Sequence, residues 1–194
     1  MTEKHIGFAL CGSFCTFKKV FPVMEELVGM GYKVHPIMSF NAYSSDTRFG
    51  KADGFVALAE KICAEKVIAT LTDAEPIGPK KLLDALIIEP CTGNTLAKLA
   101  SGIADTPVTL AAKSHLRNAR PLLIAVSTND ALAGAAKNIG ALANYKNIYF
   151  VPYRQDDPDG KPTSAVADFS QTADALENAF RGKQIQPVLL PPQH

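Results

Sequence analysis

Three short stretches of this chain place small and hydroxyl-bearing residues where an anion could be held. Cys11-Gly12-Ser13 follows an apolar run and precedes a helical pattern. Such a loop lets backbone N–H groups and a hydroxyl approach a phosphate or carboxylate at a helix N-terminus. Only Gly12 is present, so the GxGxxG dinucleotide fingerprint is absent. An ordinary tight turn with a serine cap would have the same residues. Ser39 directly follows the second apolar run, trailed by Asn41, Ser44, Ser45 and Thr47. These hydroxyls suit a phosphate or polar ligand group, or simply a solvated loop. Glu89-Pro90-Cys91-Thr92-Gly93-Asn94-Thr95 joins a third run to a helix. Thr92, Asn94 or Thr95 can cap that helix, and Gly93 would let a ligand approach closely.

The elements around these stretches alternate. His5–Cys11 reads as a buried strand, and Thr16–Met30 as a helix with Phe17, Val20, Phe21, Met24, Leu27 and Val28 on one face. Strands are expected at Lys33–Met38, Val67–Thr70, Ala85–Glu89, Leu122–Val126 and Ile148–Val151. Helices are expected at Gly54–Ala64, Asn94–Gly102, Pro107–Leu116, Asp130–Ala143 and Phe169–Arg181. Ser39–Asp53 reads as a loop, Thr72–Lys80 as irregular, and Gln155–Thr163 as a charged turn. This order predicts an α/β fold with a parallel sheet covered on both faces, a three-layer, flavodoxin-like (Rossmann-like) arrangement. Ligands in such sheets bind beyond the strands' C-terminal ends, at a switch in strand order. That singles out the loops at 11–16, 39–53, 90–95 and 127–131, the last opening on Ser127.

Composition narrows the classes. The 194 residues are 47% hydrophobic and carry a net charge of +1. That length suits one domain over 1–194, with a proline-rich tail at 183–194 lying along the surface. A nearly neutral chain with no basic block is a poor nucleic-acid binder and does little to oppose self-association. No apolar run approaches the roughly 20 residues needed to span a membrane. The N-terminal stretch is neither a secretory nor a transit peptide, so a cytoplasmic protein is expected. Cys11, Cys15, Cys63 and Cys91 form no CxxC pair, which fits reduced thiols and no metal site. His5 and His194 read as solvated and His35 as partly buried. His115 reads as a cation at a helix end, near Lys113, Arg117 and Arg120.

The stretch Glu89–Asp105, EPCTGNTLAKLASGIAD, resembles the PATANTxAKxAxGIAD signature of the homo-oligomeric flavin-containing proteins, which include cysteine decarboxylases. Pro90, Thr92, Asn94, Thr95, Ala97, Lys98, Ala100 and Gly102–Asp105 fall in register, while Cys91 and Gly93 replace alanines. The resemblance in fold covers roughly residues 4–152. It implies FMN held by Gly12, Ser13, Ser39, Thr92, Gly93, Asn94, Thr95 and Ser127, and a homo-oligomer built on trimers. The decarboxylases' catalytic histidine has no counterpart, since the register reaches Pro76, and no cysteine follows Cys91 to clamp a substrate. Peptidyl-cysteine decarboxylation is therefore not expected.

A narrower resemblance runs through almost the whole chain, carried by Asn41–Gly50, Glu75–Lys81 and Tyr149–Thr163. It is to the flavoprotein-type subunits of enzymes that make a pyridine dicarboxylate in endospore formers. This implies an oxidoreductase component in the mother-cell cytoplasm. It would act with a second subunit that binds NADP, on a small dicarboxylate. Such a dianion needs cationic or N–H donors near each carboxylate, for which Arg48, Lys51 and Arg154 are the candidates, Arg48 first. Two alternatives stay open: a non-catalytic FMN- or substrate-binding scaffold, and an FMN-dependent decarboxylase or prenyl-flavin synthase.

Overall fold

The computed structural model describes residues 3–191. Its sheet has seven strands: β1 (His5–Leu10), β2 (Lys33–Met38), β3 (Ala85–Cys91), β4 (Leu122–Thr128), β5 (Ile148–Phe150), β6 (Tyr153–Arg154) and β7 (Ala165–Ala167). The parallel core runs β2-β1-β3-β4-β5, the flavodoxin-like order. Its switch point lies between β1 and β3.

Unbroken apolar runs make these strands because both faces are buried. Along β1, Ile6, Phe8 and Leu10 pack into one core layer and Ala9 into the other. The first layer is closed by α1 (Phe17–Gly29), α3 (Ala52–Cys63) and α8 (Thr172–Phe180). The second is closed by α5 (Gly93–Ala100), α6 (Pro107–Leu116) and α7 (Ala136–Ala143). Two short helices, α2 (Phe40–Ser44) and α4 (Leu71–Ala74), occupy segments expected to be irregular.

Several expectations need correction. Val67–Thr70 is a single bridge, Ile68 to Ile37. Asp130–Ala135 is a run of turns, so α7 begins only at Ala136. β6 and β7 form an unexpected antiparallel pair, and β7 docks on the end of β4 through Ser127↔Val166 and Thr128↔Ala165. β4 therefore divides its outer edge, pairing Leu122–Ile124 with β5 and its last two residues with β7. The tail adds to β6: Tyr153 donates to the Val188 carbonyl, and Leu190 donates back to Tyr153.

The histidines also differ from expectation. His5 is not simply solvated: it stacks on His35, with His5 Nδ1 3.0 Å from His35 Nε2. His115 is fully buried, and its Nε2 lies 3.0 Å from the Pro121 carbonyl. Burial pulls its pKa down to about 4, so it is neutral rather than a cation. His194 lies outside the described residues.

Candidate functional site

The register of β3 against β4 shifts between Ile88 and Cys91, where Pro90 has no N–H to give the ladder. Just beyond this irregularity, a cavity of about 530 Å³ opens at the C-terminal ends of β1, β3 and β4. That volume is in the range of small-molecule sites. The β1 loop contributes Gly12–Thr16, the β3 loop Thr92, and β4 with its following turn Ser127, Thr128 and Asn129. Thr47, Arg48 and Phe49 border it from the loop after α2. Asp156, Lys161 and Ser164 border it from the β6–β7 connection, and Ala165 and Val166 from β7 itself.

The base of the cavity is tied across the sheet. Ser13 Oγ and Ser127 Oγ lie 2.8 Å apart, joining the loop after β1 to β4 over the end of β3. Thr92 N-caps α5 through its backbone, and its hydroxyl lies 3.2 Å from that of Thr95. Thr95 itself is buried and donates to Cys11 Sγ at 3.3 Å. Burial pushes the Cys11 thiol up to about 11, and the Cys91 thiol is raised as well. Both are neutral packing groups. A Cβ at Gly12 would meet only Phe14 and Asn41, at 3.6 and 3.8 Å, so packing leaves room above this backbone.

The roof is the Asp156–Val166 segment. The Thr163 hydroxyl donates to the Asn129 carbonyl, and Leu132 donates to the Thr163 carbonyl. Within it the Asp157 carboxylate accepts from Gly160 N–H, and its carbonyl accepts from Lys161 N–H. A Cβ on Gly160 would come within 2.3 Å of that carboxylate, so a larger residue there would displace the Asp157 side chain from this contact. Lys161 Nζ sits 3.6 Å from the Asp156 carboxylate.

Of the residues singled out from sequence, Gly12, Ser13, Thr92, Ser127 and Arg48 share this cavity. Arg48 is exposed, with its guanidinium 4.9 Å from the Phe49 ring centroid. The Ser39 hydroxyl accepts from Ala42 N–H and caps α2. Asn94 is exposed on α5 and does not line the cavity. Gly93 makes room for protein rather than for open space: a Cβ there would come within 2.6 Å of Asp130 and 2.8 Å of Thr128. Arg154 lines a neighbouring cavity of about 490 Å³ and pairs with Asp168 at 2.5 Å. Asp156 and Val166 border both cavities. Sequence reasoning passed over Phe49 and Lys161. Gln155–Thr163 carries turn residues but no spacing that shows it folding back over β4.

A switch-point cavity on a flavodoxin-like sheet, edged with hydroxyls and two cations, has the lining chemistry that suits an anionic small molecule. The model of the flavoprotein family matches residues 1–176, and this chain belongs to that family. It is 44% identical to the B subunit of dipicolinate synthase from Bacillus subtilis over 187 residues, 96% of this chain and 94% of that one. The crystal structure of the corresponding dipicolinate synthase B subunit from Bacillus halodurans superposes with a TM-score of 0.90. Its identity is 43%, and the match covers 98% of this chain and 97% of that one. An FMN-dependent cysteine decarboxylase shares the fold at a TM-score of 0.64 and 24% identity, over 91% of this chain and 97% of its own.

Proposed function

We propose that this chain is the flavoprotein-type subunit of a dipicolinate synthase. It converts dihydrodipicolinate to pyridine-2,6-dicarboxylate together with the other, nicotinamide-binding component of that synthase, its A subunit. The observation that carries this reading is the 44% identity to the Bacillus subtilis dipicolinate synthase B subunit across 96% of the chain. The reaction removes two hydrogens, a hydride and a proton; oxidised NADP held by the partner, or a flavin held by this chain, would supply the hydride acceptor, and the proton would pass to solvent. Formation of an aromatic ring makes the step downhill, so the protein's work is to position ring and acceptor. Arg48, exposed at the cavity mouth, is suited to grip one substrate carboxylate through charge-assisted hydrogen bonds.

The same cavity is chemically suited to FMN. The Ser13, Thr92 and Ser127 hydroxyls and the open backbone at Gly12 offer donors to a phosphate, and Phe14 and Phe49 offer faces to a ring system. Thr95, bonded to Thr92 and Cys11, stands behind them as a support, and Ser39 caps α2. A bound flavin supplies a two-electron acceptor. Ala97 and Ala100 of α5, with Gly102 and the exposed Ile103 after it, make a small-faced surface for packing copies of the chain into a trimer-based homo-oligomer. The setting we propose is the mother-cell cytoplasm of a sporulating bacterium. None of the described helices is long and apolar enough to cross a membrane.

Reconstitution tests the reading. The two components together are expected to form dipicolinate, measured by ultraviolet absorption, with each one alone slow. Full-rate formation by the partner alone would reduce this chain to a scaffold. The visible absorption of the purified chain reports the flavin. Flavin absorption with no effect on the partner's rate would favour a decarboxylase or a prenyltransferase of the same fold.

A further inference from the structure

A dicarboxylate on a pyridine ring holds its two charges on opposite sides of the ring nitrogen. One arginine carries a single charge against two, so a second cation facing the same cavity would complete the match better than neutral N–H or hydroxyl donors alone. Arg154 is poorly placed for this. It lines the neighbouring cavity, its side chain is 15% exposed, and its guanidinium is 2.5 Å from Asp168. Asp168 is itself fixed by Ser170 and Gln171, and Arg154 is held in the β6–β7 ladder opposite Val166. Releasing that arginine would leave a partly buried carboxylate unpaired.

Lys161 differs on each count. It lines the same cavity as Arg48, and its side chain is 54% exposed. Among the described residues its one ion pair, to Asp156, is long at 3.6 Å. Exposed pairs of this kind contribute little and exchange partners readily. Yet its backbone is not loose: the Asp157–Gly160 turn and the Ser164-to-Lys161 hydrogen bond fix where the side chain starts. The arrangement is a positioned cation with a replaceable counter-ion.

We infer that Lys161 is the second carboxylate partner of this cavity, complementary to Arg48, and that Asp156 holds it until a dicarboxylate displaces that contact. The inference rests on the dicarboxylate reading above. It makes Lys161 a specificity-determining residue that separates dicarboxylates from monocarboxylates. It also gives Asp156 the opposite sign, as a competitor for the same ammonium group.

The test is calorimetric titration of the full chain, by itself and with its nicotinamide-binding partner, in metal-free buffer. The probes are pyridine-2,6-dicarboxylate and pyridine-2-carboxylate. The unaltered protein is expected to prefer the dicarboxylate by tenfold or more. Lys161→Met is expected to abolish that preference while leaving monocarboxylate affinity within about twofold. Lys161→Arg should retain it, and Asp156→Asn should tighten dicarboxylate binding. Lys161→Met with an undiminished preference, or Asp156→Asn with weakened dicarboxylate binding, would overturn the inference while leaving the dicarboxylate reading intact. If the unaltered protein binds neither probe in either setting, the dicarboxylate reading itself fails, and the role of Lys161 falls with it.

Discussion

Ser13 and Ser127 stand 114 residues apart in sequence and 2.8 Å apart in space, hydroxyl to hydroxyl, over the end of β3. The contact closes the switch point of the sheet from β1 to β4. Whichever hydroxyl donates to the other can still accept from the cavity, and the one that accepts can still donate to it.

That contact should be measurable by a double-mutant cycle on Ser13→Ala and Ser127→Ala. A coupling of about 0.5–1.5 kcal/mol in unfolding free energy is expected, the usual worth of one hydrogen bond. Each single variant should also weaken binding of inorganic phosphate or FMN, monitored by titration. Additive stability effects would mean that the two hydroxyls do not support each other in solution.

Arg48→Ala should act on substrate and hardly on folding. Asp46, a nearby candidate partner, instead accepts from Ala52 N–H at 2.9 Å, before α3. Among the described residues no carboxylate pairs with Arg48. Removing an exposed side chain of this kind changes stability by less than about 0.5 kcal/mol. Losing a charge-assisted bond to a carboxylate costs roughly 1.5–3 kcal/mol, tenfold or more in the Michaelis constant. Melting temperature and Michaelis constant in the reconstituted pair decide the matter, and an unchanged constant removes Arg48 from the site.

Glu89 lies fully buried in β3, where Thr172 donates to Oε2 at 2.8 Å and Oε1 has no partner among the described residues. Burial raises its pKa to about 8, so the folded chain keeps it protonated at neutral pH. The unfolded chain ionises it near 4.5. The folded state therefore binds the extra proton between these values, and stability falls as pH rises from about 4.5 to about 8. The slope is at most about 1.4 kcal/mol per pH unit. Glu89→Gln should flatten this limb and raise stability at pH 8 more than at pH 5, by urea unfolding at both. Equal effects at the two values would show that Glu89 ionises freely in the fold.

His115 produces the opposite slope. It is buried neutral with a pKa near 4, against an ordinary value of 6.5. Here the unfolded chain binds the extra proton, so stability is lost as pH falls from about 6.5 to about 4. His115→Gln should reduce that acid loss. An unchanged acid limb in the variant would assign it to other groups, such as His35, whose pKa burial also lowers.

Much of the frame is legible in the sequence because it rests on local pattern. Lys33–Met38 and Pro107–Leu116 have the bounds that the residue pattern predicts. The loops after β1, β3 and β4 are legible for the same reason: apolar runs end at glycine, proline and serine. The roof is not. β6 and β7 have two and three residues, too short for any periodicity, and exist because β4 offers an unpaired edge. His115 misleads because its helix position suggests a dipole partner, while tertiary packing buries the ring. Lys161 hides inside a turn whose composition signals only solvent exposure.

The divided edge of β4 sets how firmly each wall of the cavity is held. Beneath lies a ladder in which β1 and β2 match over six residues. Above, β7 touches β4 through two pairs, and β6 touches β7 through two more. Brief local openings begin where the ladder is shortest, so backbone amides of Val166 and Ala167 should exchange with deuterium well before those of Ile6–Leu10. A ligand lodged between the two walls binds the closed form alone and draws the weaker wall toward it. Occupancy of the cavity will thus be readable as slowed exchange in a segment that contributes little to the stability of the whole.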